Sequence, residues 1–477
     1  MKKYILIAMS VVTLSFTACS DDTMDKVNKD THHPTAEIVA ARLQMSYAIM
    51  NTAFSTVSGD YAFYTSSFTE QLIGTGNNQA MKAELRNPVE VAASTCFNNV
   101  WSDTYSNLKN LSEVIYKVEN DVASSGGQLD VLGAAQVLWA INAGILTDMH
   151  GDIPYTEALM GSENMQPNID SQQTVYADII SRLDKAIDNL SNATASNMGD
   201  QDLAFGGNIN SWLATAYAVK ARYLMHQSAV NNGVIAQAKA AAEKAVELGF
   251  DGFEVTEFNG INCDNPWSAY VWSRGYTAPS KHVADLMDAN DDPRWEYYVG
   301  IDAQTPGDQA VAMESPWAYE YPMYYDLGSQ PVHIMSAHEL YFILAEAQLR
   351  LGEDATDAFQ TAVALSVSEQ ASWLGYDEDG IEFAESLGTP DLQKLFDQKY
   401  IAMAVDEQVE TYNDIRRLRA MGENYIPMTN PYNTQAGQNR WPELLPYGNS
   451  SVVSNPKLAA AYGDGYYIYT TKAWLFK

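Results

Sequence analysis

One short segment of the chain combines aromatic rings with amide, carboxylate and guanidinium groups. Seven such residues lie within thirteen positions: Asn262, Asp264, Asn265, Trp267, Tyr270, Trp272 and Arg274. A sugar ring has an apolar C–H face that a flat aromatic ring covers, and hydroxyls that Asn, Asp and Arg bind. The segment therefore indicates a carbohydrate site. The alternative, that individual rings fill a second core beneath loops, stays open.

The same segment lies in a long stretch, residues 250–331, that interrupts the helical pattern. Thirteen aromatic residues fall between Phe258 and Tyr325, whereas aromatic residues make up 11% of the whole chain. Long loops on a regular scaffold are usually functional. We expect the ligand on this face, with Trp267 and Trp317 as the best candidates because each follows a proline that fixes the local backbone. A second irregular stretch, residues 61–87, would form the opposite wall through Tyr61 and Tyr64.

Catalytic motifs are missing from the sequence. There is no Gly-x-Ser-x-Gly nucleophile motif, no phosphate-binding glycine loop and no Cys/His zinc spacing. His338-Glu339 begins like a zinc-protease helix, but position 342 is Phe instead of the second His. We predict no enzyme activity, no cofactor and no metal site. A glycoside hydrolase remains an alternative, because 60 carboxylates offer many acid pairs.

The composition excludes other classes of function. Asp and Glu total 60 against 28 Lys and Arg, which gives a net charge of −32. Nucleic-acid binders concentrate positive charge, so we predict no nucleic-acid partner. Three cysteines in 477 residues do not make a disulfide scaffold. Cys96 and Cys263 form either one disulfide or two separate buried thiols, and we favour the thiols.

The N-terminus has the features of a bacterial lipoprotein signal. Lys2 and Lys3 precede an apolar stretch that is too short to span a membrane, and Thr17-Ala18-Cys19 follows. We predict a signal peptide over residues 1–18, lipidation at Cys19 and a polar tether over residues 19–34. The alternative is a secretory signal with an incidental cysteine.

Helical periodicity dominates the rest of the chain. Predicted helices cover residues 36–57, 88–122, 130–149, 171–190, a segment capped by Asn208 or Asn210, and 234–248. In the second half, Ser336-Ala337-His338-Glu339 is a capping box, and Thr389-Pro390 begins a long helix that ends near Arg417. Arg416 and Arg417 follow acidic residues on this helix, and we expect both to form ion pairs with neighbouring helices. Helix pairs with short turns predict a mainly α fold with tetratricopeptide-like stacking.

Several motifs, in order, resemble the SusD/RagB family of outer-membrane lipoproteins from Bacteroidetes, nearer its second SusD-like branch. They are Trp101-x3-Tyr105-x2-Leu108, Gly151-Asp152-Ile153-Pro154-Tyr155-Thr156-Glu157-Ala158, Phe205-Gly206-Gly207-Asn208, Trp212 to Arg222, Asn265-Pro266, Asp292-Pro293-Arg294, Glu339-Leu340 to Ala347, Glu410-x-Tyr412-x-Asp414-x-Arg416-Arg417, Pro446-Tyr447 and Asn455-Pro456. Cys19-Ser20-Asp21-Asp22 resembles the tag that exports such lipoproteins to the cell surface. Tyr412 and Ser451 depart from the usual Trp and Glu of the family.

The resemblance implies tetratricopeptide-like helix pairs packed against an irregular, loop-rich half. It implies one SusD-like domain over residues 35–477, with scaffold at 35–60, 88–250 and 332–422, ligand-binding loops at 250–331 and an irregular tail at 425–477. The implied role is to bind an oligosaccharide, or a peptide as in the RagB branch. The lipid-anchored protein would face outward from the outer membrane and pass its ligand to a SusC-type TonB-dependent barrel.

Overall fold

The computed structural model describes residues 38–76, 79–299, 302–314 and 328–477. The predicted signal peptide, Cys19 and the tether lie outside these residues, and so does Trp317. In the described part, most residues are helical and the few strands are short, so the predicted mainly α fold is confirmed.

Seven long helices form a continuous stack in which each packs against the next. The first four are α5 (Asn98–Glu119), α6 (Leu129–His150), α7 (Gln172–Asn192) and α8 (Ile209–His226). The stack continues with α9 (Val234–Glu247), α14 (Ala337–Leu351) and α15 (Thr356–Trp373). Because α9 packs directly on α14, the segment between them, residues 248–336, leaves the stack and returns to it. We name this segment the excursion.

Helices α1–α4 precede this stack and α10–α13 lie in the excursion. They are α1 (Met45–Asn51), α2 (Asp60–Phe68), α3 (Gln79–Glu84), α4 (Pro88–Val91), α10 (Pro266–Arg274), α11 (Lys281–Asp288), α12 (Arg294–Tyr298) and α13 (Gln309–Ala312). The later helices are α16 (Ile381–Ser386), α17 (Leu392–Ala402), α18 (Gln408–Ala420), α19 (Asn449–Ser454) and α20 (Pro456–Tyr462).

The strands form four antiparallel pairs among the described residues. These are β1 (Leu72–Gly74) with β5 (Thr277–Pro279), β2 (Ile153–Pro154) with β3 (Ile169–Asp170), β4 (Phe253–Val255) with β6 (Val332–Met335), and β7 (Thr434–Gln435) with β8 (Gln438–Asn439). In the first pair, Ile73 lies opposite Ala278. This pair ties the stretch 61–87 to the excursion, although some 200 residues separate them.

Helix caps set the start of several scaffold helices. The Ser171 side chain accepts a hydrogen bond from the Thr174 amide, and Asn208 accepts from Asn210 and Ser211. Each cap satisfies an amide that has no partner inside its helix. The cap at Asn208 was predicted from the sequence and is therefore confirmed, whereas the cap at Ser171 was not predicted.

The predicted capping box at Ser336 is only half formed. The Ser336 hydroxyl accepts a bond from the Glu339 amide (3.1 Å), as expected. The Glu339 carboxylate, however, pairs with Arg222, and the Ser336 amide donates instead to Glu407 Oε1 (3.0 Å). Leaving a buried guanidinium without a carboxylate partner costs more free energy than leaving a helix amide without a side-chain cap.

Helix α6 is the centre of the core. By length and composition it could cross a membrane, with a mean hydropathy of 1.5 over its most apolar window, but 94% of that window is buried inside the protein. Gly144 lets α8 approach closely, because a Cβ there would lie 2.2 Å from the ring of Tyr223. Burial on all sides explains why this helix is apolar all round.

Four sequence-based assignments were wrong. Among the described residues, the stretch 61–87 contains most of α2 together with β1 and α3, and the stretch 250–331 contains four short helices and two strands. Elements of three to nine residues are too short for a periodic pattern to identify. The predicted helix 88–122 is interrupted at residues 92–97, and the one beginning at Thr389-Pro390 is interrupted at residues 403–407.

The interruption at residues 403–407 allows Asp406 and Glu407 to make tertiary contacts. Glu407 receives bonds from the Ser336 amide and hydroxyl, and Asp406 Oδ2 lies 2.6 Å from His333 Nδ1. Beyond it, Arg417 pairs with Glu346 of α14 (2.6 Å), which confirms the expected ion pair between helices.

Arg416 behaves differently. It donates to the backbone carbonyls of Asp148 (2.7 Å) and Glu443 (3.1 Å), and its guanidinium lies 4.0 Å from the ring centroid of Tyr412. The expectation that Arg416 closes an ion pair with a neighbouring helix was therefore wrong. Carbonyl oxygens and an aromatic face stabilise its charge instead.

Candidate functional site

A cleft of about 410 Å³ lies between α2 and α10, and we name it the α2–α10 cleft. Its lining residues are Asp60, Phe63, Tyr64, Gln79, Ala80, Thr95, Cys96, Asn99, Tyr270, Arg274 and Tyr276. Adjoining cavities of about 310 and 170 Å³ share residues with it at either end. The space is large enough for a small oligosaccharide or a short peptide.

Local sequence fixes the wall formed by α10. The Asn265 side chain accepts bonds from the amides of Trp267 (2.8 Å) and Ser268 (3.3 Å), and Pro266 occupies the first turn. Gly275 ends the helix in the left-handed conformation (φ 57°). Tyr270 and Arg274 are four residues apart on this helix and therefore face the cleft together.

Aromatic contacts across the cleft join its two walls. The rings of Phe63 and Tyr270 stack with centroids 4.1 Å apart and planes 18° apart. Trp267 meets Phe63 edge to face at 4.8 Å, and Tyr276 meets Tyr270 at 6.3 Å. Phe63, Tyr270 and Tyr276 are half-buried, so each ring has one part in the core and another part exposed.

Polar groups surround these rings. Gln79, Thr95, Asn99 and Arg274 are exposed around the cleft. Burial and the nearby charge of Asp103 raise the pKa of Asp60 to about 6. Amide, hydroxyl, carboxylate and guanidinium groups around half-buried rings match the two faces of a sugar.

The thiol in this cleft is unreactive at neutral pH. Burial raises the pKa of Cys96 to about 12, so the nucleophilic thiolate is scarcely populated. Cys96 and Cys263 are both free and half-buried, which confirms the prediction of two separate thiols.

The structure divides the predicted site residues into groups. Tyr64, Tyr270 and Arg274 line the cleft. Trp272 is 59% exposed on α10 but is not among the lining residues. Asn262 and Asp264 are exposed in the turn before α10.

Three other candidates lie in the core instead of at the surface. Trp267, the best candidate from sequence, has 0% of its surface exposed because α2 covers it through Phe63. Asn265 is a buried helix cap. Tyr61 is 0% exposed, and its hydroxyl lies 2.7 Å from His150 Nε2. The expectation of an exposed ring at Trp267 and at Tyr61 was wrong, and Trp317 lies outside the described residues.

Sequence reasoning missed a third wall of the cleft. Thr95, Cys96 and Asn99 belong to the turn between α4 and α5 and the start of α5. A continuous helix was predicted through this region, which hid the turn. The consecutive residues Asn98 and Asn99 were the available signal, because Asn is favoured at helix starts.

The comparisons with known proteins agree with this architecture. A family model described as starch-binding, associating with the outer membrane, matches residues 35–433. A SusD/RagB family protein from Bacteroides thetaiotaomicron is 31% identical, with a TM-score of 0.80 over 92% of this chain and 99% of its own. The chain belongs to the SusD-like family.

Two further solved structures share the fold. A chitin-binding protein is 20% identical with a TM-score of 0.74, covering 92% of this chain and 100% of its own. A chitin-binding SusD homolog from Flavobacterium johnsoniae is 18% identical with a TM-score of 0.68, covering 91% and 98%. A search of curated proteins gave no significant match.

Proposed function

We propose that this protein binds a glycan in the α2–α10 cleft. The observation that carries the proposal is the stacked pair of Phe63 and Tyr270, whose half-buried rings adjoin polar side chains. A ring pair of this kind covers the apolar face of a sugar, while the polar side chains form hydrogen bonds with its hydroxyls. The family description as starch-binding and the chitin-binding names of two relatives with the same fold support a glycan over other ligands.

A binding experiment with matched variants tests this proposal. The wild type, Tyr270→Ala with Arg274→Ala, and Trp272→Ala are compared by affinity electrophoresis and calorimetry against starch, chitin oligosaccharides and other glycans. We expect the double variant to lose at least tenfold in affinity, since stacking contributes about 1 kcal/mol and a charged hydrogen bond about as much or more. Trp272 lies on the same helix but outside the cleft, so the Trp272→Ala variant should bind the glycan with the affinity of the wild type.

Two outcomes would contradict the glycan proposal. Normal binding by the double variant, together with weakened binding by Trp272→Ala, would place the site elsewhere. Binding of peptides but of no glycan would support the alternative that the RagB resemblance left open, a peptide-binding protein.

A second candidate function, glycoside hydrolysis, is favoured by one specific observation. Asp60 and Asp103 interact electrostatically, and burial together with this interaction raises the pKa of Asp60 to about 6. Both carboxylates line the adjoining cavity of about 310 Å³. A carboxylic acid with a raised pKa is one of the two groups that glycosidases use. Release of reducing ends by the wild type and not by Asp60→Asn would support hydrolysis. Binding of a glycan without release of reducing ends would contradict hydrolysis and support a binding protein.

We also propose that the protein is lipidated at Cys19, lies on the outer surface of the outer membrane and delivers its ligand to a SusC-type barrel. The family description as associating with the outer membrane and the N-terminal sequence support the location. Affinity isolation of the tagged protein from native outer membranes in mild detergent should recover a large TonB-dependent barrel. Recovery of none would count against the partner.

A further inference from the structure

A cluster of histidine and carboxylate side chains lies where the excursion rejoins the helical stack. Glu254 of β4 and His333 of β6 are register partners in their antiparallel pair, and Glu369 extends towards them from α15. One donor atom from each of these three residues lies within 4.8 Å of the other two. Direct partners in an antiparallel pair put their side chains on the same face, so the cluster follows from the register.

Two carboxylate oxygens surround one nitrogen of His333. His333 Nε2 lies 2.7 Å from Glu369 Oε1 and 3.1 Å from Glu254 Oε2. A ring nitrogen carries at most one proton, and two carboxylate oxygens compete for it. A divalent cation placed between the three atoms would satisfy all of them at once.

Contacts with Asp406 and Trp373 orient the His333 ring for metal binding. His333 Nδ1 lies 2.6 Å from Asp406 Oδ2, which favours a lone pair on Nε2 when the ring is neutral. The ring of Trp373 stacks on the imidazole at 5.7 Å with planes 21° apart, which fixes its orientation. Metal-binding histidines in proteins almost always have a partner of this kind on the second nitrogen.

Glu369 has its own orienting contact. Its second oxygen, Oε2, lies 3.1 Å from His338 Nδ1, so Oε1 stays directed at His333. The Glu254 side chain is 40% exposed, which gives an ion a route from solvent and leaves room for water in a fourth position. Three protein ligands and a solvent position form an ordinary zinc coordination shell.

We propose that Glu254, His333 and Glu369 bind a divalent transition metal of the zinc class. Imidazole with carboxylates suits this class better than calcium or magnesium, which prefer all-oxygen shells. At Zn–N and Zn–O distances of about 2.0–2.2 Å, tetrahedral donors lie about 3.3 Å apart. The distances of 2.7 and 3.1 Å from His333 Nε2 to the two carboxylates are close to this spacing, and the three donor atoms lie within 4.8 Å of one another. The ion would tie β4 and β6 to α15, which joins the excursion to the helical stack.

The three ligands have no sequence motif because they are far apart in the chain. Residues 254, 333 and 369 come from two strands and one helix. The sequence predicts no metal site, because short ligand spacings are absent from it. The strand register is what brings the residues together.

A second buried histidine provides a matched control. His226 also contacts two carboxylates, but Asp148 lies at its Nδ1 (3.1 Å) and Glu410 at its Nε2 (2.7 Å). These oxygens flank opposite sides of the ring and cannot converge on one ion. His226→Gln therefore removes a buried histidine of similar surroundings without touching the proposed site.

The test uses the purified full chain without an affinity tag, stripped with chelator and titrated with Zn²⁺ by calorimetry. Co²⁺ serves as a spectroscopic probe, because it gives visible absorption when bound in a four-coordinate site. We expect one Zn²⁺ per chain, and at least tenfold weaker binding in His333→Gln and in Glu254→Gln. His226→Gln should bind as the wild type does.

Glu254→Gln keeps the test decisive if His333→Gln fails to fold, because Glu254 is partly exposed and tolerates the change. The proposal would be overturned by a wild type that binds no stoichiometric Zn²⁺. It would equally be overturned by unchanged affinity in Glu254→Gln, or by weakening of the same size in His226→Gln.

Discussion

The ring of Phe63 in α2 lies flat against the ring of Tyr270 in α10, with centroids 4.1 Å apart. This contact joins two parts of the chain separated by more than 200 residues and connects the two walls of the α2–α10 cleft that these helices form. Pairing of β1 with β5 holds the same two segments together, since Ile73 lies opposite Ala278. The cleft therefore depends on the return of the excursion to α2.

Trp267 should matter for stability and not as a ligand platform. Truncating a fully buried Trp removes apolar contacts and leaves a cavity, so Trp267→Ala should lower the free energy of unfolding by about 3–5 kcal/mol. Urea denaturation followed by circular dichroism measures this loss. Trp272→Ala, on the exposed part of the same helix, should change stability by less than about 0.5 kcal/mol. Equal stabilities of the two variants would contradict the burial of Trp267.

Asp60 should destabilise the folded protein at neutral pH. Its folded-state pKa of about 6 is above its ordinary value of 3.8, so stability falls as pH rises from about 4 to 6 and stays level above that. Each pKa unit corresponds to about 1.4 kcal/mol, and residual solvent contact reduces the effect. Asp60→Asn should therefore be about 1–2 kcal/mol more stable than the wild type at pH 8.

The pH dependence provides the control for Asp60. At pH 3.5 the wild-type carboxyl is protonated in the folded state and mostly protonated in the unfolded state, so the advantage of Asp60→Asn should nearly disappear there. Thermal unfolding at pH 3.5 and pH 8 makes the comparison. A constant difference at both pH values would show that the effect does not come from ionisation.

His226 should contribute stability that is lost in mild alkali. Burial disfavours its charged form, but the carboxylates of Glu410 and Asp148 outweigh burial and raise the pKa to about 9. A histidine with a raised pKa contributes its full stability below pH 6.5 and loses it as pH rises through 9. We expect a loss on the order of 2 kcal/mol across this window, measured by urea denaturation. In His226→Gln this part of the pH dependence should be absent, and an unchanged slope would refute the assignment.

Lipidation at Cys19 is tested by labelling. The series of Lys2-Lys3, an apolar stretch, Cys19 and Asp21-Asp22 predicts that labelled fatty acid enters the wild type. Cys19→Ala should carry no label and leave the membrane fraction. A Cys19→Ala variant that stays labelled and membrane-bound would contradict the prediction.

The sequence by itself determined the helical scaffold and the class of protein. The cap at Asn208 and the long periodic stretches predicted the helices, because local hydrogen bonds and a 3.6-residue period depend on neighbouring residues alone. The density of aromatic and polar residues indicated carbohydrate chemistry, and Tyr270 and Arg274 line the cleft. Family motifs supplied the class of protein, which the comparisons confirm.

Only the tertiary structure decided which rings are buried and which residues meet. Trp267 and Trp272 are five residues apart on one helix, yet the first is fully buried and the second is 59% exposed, because α2 covers one side of α10. No local pattern predicts that cover, since it comes from residues 200 positions earlier. The cluster of Glu254, His333 and Glu369 has the same origin, because strand register and a helix from the returning stack bring its donor atoms together.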